Sequence, residues 1–225
     1  MQILAILLTA VISYLLGSVN SSIIVVKLLR HEDIREHGSK NAGLTNTLRC
    51  YGKLPALLTL IGDLGKGVVA VLLSQLVCRL LLGDDFSDRY FIDSQAIGYI
   101  AGFFAIIGHI FPLYYHFKGG KGVLVASSVL LVIDPLTFAI VIPFFLIVVL
   151  ITRYVSVGSI SAAVAYPILT FCVNYFIRSA PMNKAVLYTA LTVGTGILLI
   201  YMHRTNIRRL KAGTENKFGQ KKKQE

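Results

Sequence analysis

Apolar residues fall in long runs, separated by short polar segments that gather glycine, lysine, asparagine and arginine. A run of about 20 apolar residues is what a helix needs to cross a bilayer. The runs at 3–26, 54–82, 94–113, 136–151, 157–177 and 185–202 each predict such a helix. The run at 123–133 falls short of a straight crossing and is closed by Asp134-Pro135. Counted as a short or tilted crossing, it brings the total to about seven. The predicted fold is an all-α membrane protein, one domain over 1–225 with a flexible basic tail at 217–225. No basic residue precedes the first run and no clear cleavage site follows it, so it reads as a retained helix and not a removed signal.

Composition agrees: 55% of the 225 residues are hydrophobic and 15% charged, against about 25% charged in soluble domains. Mean hydropathy is +0.71. A net charge of +11 would suggest nucleic acid in a soluble protein. Here its distribution points to cytoplasmic loops and anionic lipid, and no nucleic-acid partner is expected. With the N-terminus outside, the inner segments hold 18 of the 22 Lys and Arg, and only Arg79, Arg89, Arg178 and Lys184 lie outside. That orientation puts the C-terminus in the cytoplasm. It also puts every glycine-lysine block on the cytoplasmic face, where a site is expected. A transporter would more usually place polar groups near the midplane. Cys50, Cys78 and Cys172 lie far apart, so neither a disulfide framework nor a zinc site is expected.

Four polar blocks carry candidate chemistry. Lys118, Gly119, Gly120, Lys121 and Gly122 combine backbone that can approach a ligand closely with two point charges; this reads as a phosphate cradle or as a basic topology loop. Gly-x-x-x-x-Gly-Lys-Ser/Thr spacing is missing, so nucleotide hydrolysis is not implied. The segment 38–49 offers Ser39, Asn41, Gly43, Thr45, Asn46 and Arg49, donors able to wrap an oxyanion, with Thr45 placed to open a helix. Asp63 and Lys66 share a helix face inside an apolar run, either as a functional pair or as a structural one. His109, also inside a run, is a buried hydrogen-bond partner or a base. In the fourth block His203 and Asn206 share a face if the last helix continues, beside a stripe of Arg204 and Arg208; a lipid anchor is the plainer reading. None of the five histidines has Asp at the fifth position, and there is no Gly-x-Ser-x-Gly elbow, so a protein nucleophile is not evident.

Together these blocks resemble the bacterial acyl-phosphate-dependent glycerol-3-phosphate acyltransferase family. The matching stretches are Gly17-Ser18, GSKNAGLTN with Arg49, Asp63 with Lys66-Gly67, GHIFPLYYHFKGGKG, Thr152-Arg153-Tyr154 with Ser156, and HRTNIRRLKAGTENK. Departures are Asn20 in a Gly-Ser-x-Pro position, Leu44 before Thr45, and Leu124-Val125 after the glycine-lysine loop. The resemblance implies transfer of an acyl group from acyl phosphate to the 1-hydroxyl of glycerol 3-phosphate, giving lysophosphatidic acid and phosphate. It implies no cofactor, no metal and no obligatory protein partner, and a place in the bacterial inner membrane with the catalytic face cytoplasmic. By motif position Ser39, Arg49, Lys121, His203 and Asn206 are expected to be catalytic. Asn41, Gly43, Thr45, Asn46, Lys118, Gly119, Gly120, Gly122, Arg204 and Arg208 are expected to bind substrate, supported by Asp63, Lys66 and His109. The alternative is a membrane transporter for a phosphorylated metabolite.

Overall fold

The structure, a computed structural model, describes residues 1–219; the end of the expected basic tail, 220–225, lies outside them. The described residues form helices and no strand. Six segments are long and apolar enough to cross a membrane: Gln2–Arg30, Lys53–Leu82, Ser94–Tyr115, Pro135–Thr152, Val155–Ile177 and Met182–Met202. The chain divides into two compact units, Met1–Asp134 and Pro135–Glu225.

In the first unit the opening segment is two helices, α1 (Gln2–Ser18) and α2 (Ser21–Arg30). The break falls at Val19 and Asn20, both extended. Asn20 is the reason: its Oδ1 accepts from the Ile23 N–H (3.2 Å) and the Ser22 hydroxyl (2.8 Å), capping α2 from within. A break inside an apolar span frees backbone groups that lipid cannot satisfy. The Val19 carbonyl finds a donor in Lys66 of α4 (Lys53–Leu82), 2.9 Å away.

The polar segment 31–52 holds a 3₁₀ turn at Ile34–Glu36 and a short helix, α3 (Leu44–Tyr51). α5 (Phe86–Arg89) follows α4, and α6 (Ser94–Ile110) runs back along α1. Gly17 and Gly108 make that approach possible: a Cβ on Gly17 would strike the Ala105 carbonyl, and one on Gly108 the Tyr14 carbonyl. α7 (Val123–Ile133) packs on α4 and α6. Its 11 residues span about 16 Å, half of a ~30 Å hydrocarbon core. Six full-length segments and one half-length helix therefore stand where the sequence predicts seven.

The second unit holds α8 (Pro135–Thr152), α9 (Val155–Cys172) with a wide turn at Val173–Ile177, α10 (Met182–Met202) and α11 (Arg204–Lys211). α8 is apolar on every side, and Leu150 (75% exposed) and Ile151 (77%) point away from the unit. Apolar surface of that extent is the signature of a lipid-facing helix.

Candidate functional site

The segment 38–49 is folded by its own side chains. Asn46, 2% exposed, accepts the Ser39 N–H on Oδ1 (2.9 Å) and donates from Nδ2 to the carbonyls of His37 (3.0 Å) and Ile34 (3.4 Å). Its amide is engaged in shaping the loop, where it was expected to bind substrate. A correction concerns Thr45. Gly43, not Thr45, is the residue before α3; the N–H groups of Asn46 and Thr47 both reach the Gly43 carbonyl at 3.1 Å. The N–H groups of Leu44 and Thr45 are then left without an acceptor inside the helix. Thr45 is exposed on this first turn, and Ser39, Asn41 and Arg49 are half-buried around it. The Arg49 guanidinium makes no hydrogen bond or ion pair among the described residues.

The glycine-lysine loop is tied to the helix before it. The Gly119 N–H bonds to the Ile110 carbonyl (3.0 Å) and the Gly120 N–H to the His109 carbonyl (3.1 Å). These glycines cap the end of α6, so their N–H groups are not the anion cradle that a run of glycines suggests. The unsatisfied donors lie further on. The first bond of α7 runs from the Ala126 N–H to the Gly122 carbonyl (2.8 Å). Val123, Leu124 and Val125 therefore offer N–H groups with no acceptor within the helix. Lys118 is exposed and Lys121 half-buried at this end.

The two loops meet at Gly120. A Cβ there would collide with the Ala42 carbonyl of the first loop and with His109 Nε2. Arg35, absent from the expected site, clamps them together. It donates to the carbonyls of Tyr115 (2.8 Å) and Lys118 (3.3 Å) while Asp33 holds it at 2.6 Å. The hydrogen bonds that Arg35 donates to Asp33 keep its carboxyl below the usual range, against a smaller opposing effect of burial. The clamped turn includes His116 and Phe117, both left-handed at φ 56° and 57°. Such residues cost about 1–3 kcal/mol each and persist where the surroundings over-determine them. A nearby cavity of about 400 Å³, lined by Ile23, Lys27, His31, Glu32, Asp33, Arg35, Glu36 and Tyr115, contains none of the expected site residues.

Below the junction, Asp63, Lys66 and His109 are buried together at 1%, 8% and 3% exposure. Lys66 Nζ lies 2.9 Å from Asp63 Oδ1 and 2.8 Å from His109 Nδ1. The Asp63 approach is that of an ion pair, since Oδ1 accepts no aligned hydrogen bond.

In the second unit the last helix does not continue straight. α10 ends at Met202, His203 turns, and α11 starts at Arg204. His203 and Asn206 are buried (3% and 5%), whereas Arg204 and Arg208 are exposed. Arg204 covers the Tyr201 ring at 4.5 Å. His203 Nδ1 lies 2.8 Å from the Leu199 carbonyl. A carbonyl only accepts, so Nδ1 carries the proton. Asn206 Nδ2 donates to Glu215 Oε1 (2.6 Å), which also accepts from Ser156 (2.9 Å), while Arg209 Nε reaches Oε2 (2.6 Å). Glu215 is thus the centre of this cluster, though its place in a basic tail hid it. Its one sequence signal is that it is the only acidic residue after Asp134 in a lysine- and arginine-rich segment, until the terminal Glu225. Burial pushes the Glu215 carboxyl up, but the hydrogen bonds from Arg209, Asn206 and Ser156 together hold it below its usual range.

No group of three or more His, Cys, Asp or Glu among the described residues is arranged to hold a metal. Two touching loops that each open a helix, with Arg49 and Lys121 beside them, are suited to binding oxyanions, because helix N-termini present both N–H donors and a positive dipole end.

Comparisons with known proteins bear on which oxyanion. A family model described as glycerol-3-phosphate acyltransferase matches residues 7–213. A protein of Clostridioides difficile (strain 630) named glycerol-3-phosphate acyltransferase is 40% identical, over 99% of this chain and 100% of its own. One of Halalkalibacterium halodurans with the same name is 41% identical, over 93% and 94%. Among solved structures, PlsY, an integral membrane glycerol 3-phosphate acyltransferase, superposes in its glycerol 3-phosphate form with a TM-score of 0.74 at 32% identity. That match covers 95% of this chain and 96% of the other. Its lysophosphatidic acid form gives 0.72 at 31% identity.

Proposed function

Since the chain belongs to the glycerol-3-phosphate acyltransferase family and is an integral-membrane acyltransferase of phospholipid synthesis, we propose that its acyl donor is an acyl phosphate and that the loops of the first unit hold substrate phosphate. The family match runs through both compact units, which supports reading them as parts of one enzyme domain. The observation that carries the site assignment is the contact of the two loops at Gly120 and Ala42, each loop opening a helix with unsatisfied N–H groups. Family membership also decides for acyl transfer over the transport alternative.

In the proposed reaction the 1-hydroxyl oxygen of glycerol 3-phosphate attacks the acyl carbonyl carbon. The new C–O ester bond forms and the C–O bond to phosphate breaks. The hydroxyl proton goes to an oxygen of the departing phosphate, which leaves as inorganic phosphate. An acyl phosphate is already activated, so positioning and stabilisation of anionic oxygens supply the catalysis. Arg49, Lys121 and the first-turn N–H groups of α3 and α7 take that role, with Ser39, Asn41 and Lys118 as further donors. Asn46 shapes the first loop instead of touching substrate. In the second unit His203 and Asn206, with Arg204 and Arg208, are assigned to substrate from their motif positions. The charge distribution supports placing both loops on the cytoplasmic side, and the inner membrane is the location that the family resemblance implies.

The test is turnover of purified protein in detergent or nanodiscs, given palmitoyl phosphate and glycerol 3-phosphate without CoA. Release of phosphate matched by formation of lysophosphatidic acid is expected. Product formed from acyl-CoA and not from acyl phosphate would overturn the donor assignment.

A further inference from the structure

Lys66 is a charged residue 8% exposed inside an apolar span, its ammonium held by two hydrogen-bonding neighbours and one ion-pair contact. An ammonium has three donors and no acceptor. Its three neighbours are Asp63 Oδ1 (2.9 Å), the Val19 carbonyl (2.9 Å) and His109 Nδ1 (2.8 Å). The first neutralises the charge, the second is the carbonyl freed by the break between α1 and α2, and the third is a ring nitrogen. Facing a donor, Nδ1 must accept, so the neutral His109 ring carries its proton on Nε2.

That Nε2–H does not point into inert packing. Nε2 and the Ala42 carbonyl are the two atoms nearest the place where a side chain on Gly120 would begin. The backbone of the same histidine holds Gly120 from the other side, through the bond from the Gly120 N–H to the His109 carbonyl (3.1 Å). His109 thus grips the junction of the two loops with ring and backbone, and Lys66 sets which ring nitrogen does it. A plain structural ion pair would need only Asp63 and Lys66, and would not require a histidine with a defined tautomer against a glycine.

We propose that Lys66 is a positioning residue for acyl transfer: it fixes His109 as the Nε2–H tautomer, and His109 in turn sets Gly120 and the start of α7 against the 38–49 loop. The proposal rests on the reading that these loops hold substrate phosphate.

Two substitutions separate the ring positions. The amide of Gln reaches the place of Nε2, whereas that of Asn reaches the place of Nδ1. His109→Gln is expected to keep kcat within a few-fold of the unaltered enzyme, and His109→Asn to lose about 100-fold in kcat/KM, the scale of a 1 Å misplacement. Lys66→Met is expected to fall with His109→Asn. An independent readout is ¹⁵N NMR of the histidine ring in nanodiscs, which reports the tautomer without turnover. The unaltered protein should show a protonated Nε2 and a bare Nδ1, and Lys66→Met should release the ring to a mixture. A protonated Nδ1 in the unaltered protein, or equal activity of His109→Gln and His109→Asn, would overturn the proposal. Absence of turnover in the unaltered protein would instead count against acyl phosphate as donor, and the NMR result would still decide the tautomer.

Discussion

Gly120→Ala adds one methyl at a tight contact between the two loops of the first unit. That methyl would sit on the Ala42 carbonyl and on His109 Nε2, both well inside van der Waals contact. Neither neighbour can rotate away: one is backbone, and the other is a ring held by Lys66 at 2.8 Å. Relief requires the 38–49 loop and the start of α7 to separate by about 1 Å. Overpacking of this kind costs about 1–3 kcal/mol of stability, and a 1 Å misplacement of catalytic groups costs about 100-fold in rate. The expected result is a folded protein with modestly lowered thermal stability and a kcat/KM down about 100-fold. The control is Gly65→Ala in α4, where a Cβ meets nothing within 4 Å and the gain in helix propensity is about 1 kcal/mol. Thermal unfolding of the detergent-solubilised protein and phosphate-release kinetics measure both. Unchanged kinetics in Gly120→Ala would refute the argument that the loop contact sets the site.

Arg49→Ala and Lys121→Ala each remove a cationic donor; each is expected to lower kcat by about 100-fold or more, read in the same phosphate-release assay. Arg35→Met releases the Tyr115 and Lys118 carbonyls and leaves Asp33 unpaired. Because the pair is partly exposed, at 22% and 31%, the stability loss should be no more than about 1 kcal/mol, with a larger loss of turnover. Glu215 gives a pH prediction. Its folded carboxyl titrates below the ordinary 4.5, so the stability it contributes is complete above about 4.5 and is lost as pH falls through the lower folded value. Unfolding temperature should drop on acidification below about 4.5, and Glu215→Gln should flatten that drop; an equally steep drop in the variant would count against the cluster.

Much of this was legible from residue order. Span length set the helices, because a bilayer imposes a minimum run, but the run at 3–26, predicted as one helix, is parted into α1 and α2 at Asn20. The positions of Asp63, Lys66 and His109 inside apolar runs were legible as a cost that needed partners. The partners themselves were not, since Val19 becomes an acceptor only after the helix breaks. Gly119 and Gly120 read as donors because glycine is permissive; that their N–H groups close α6 depends on where α6 stops. Asn46 carries the side chain of a ligand and does the work of a turn. Arg35 was one cation among many in a polar segment, and nothing but the fold shows that it reaches residues 80 positions away. Glu215 was masked by the basic tail around it.

The ammonium of Lys66 also has a consequence for how this sequence can drift. Replacing Asp63 or Lys66 alone strands the other charge in an apolar span, a loss of several kcal/mol, and losing Lys66 also takes the donor from His109 Nδ1. Replacing all three with apolar residues of similar volume removes the stranded side chains together and leaves only the Val19 carbonyl without its donor. The three positions therefore form one coupled unit, and the single losses should sum to more than the triple loss. Substitutions at these positions would accumulate as a set, by a step that passes through unstable intermediates, and a chain that has acquired the lysine would hold on to all three.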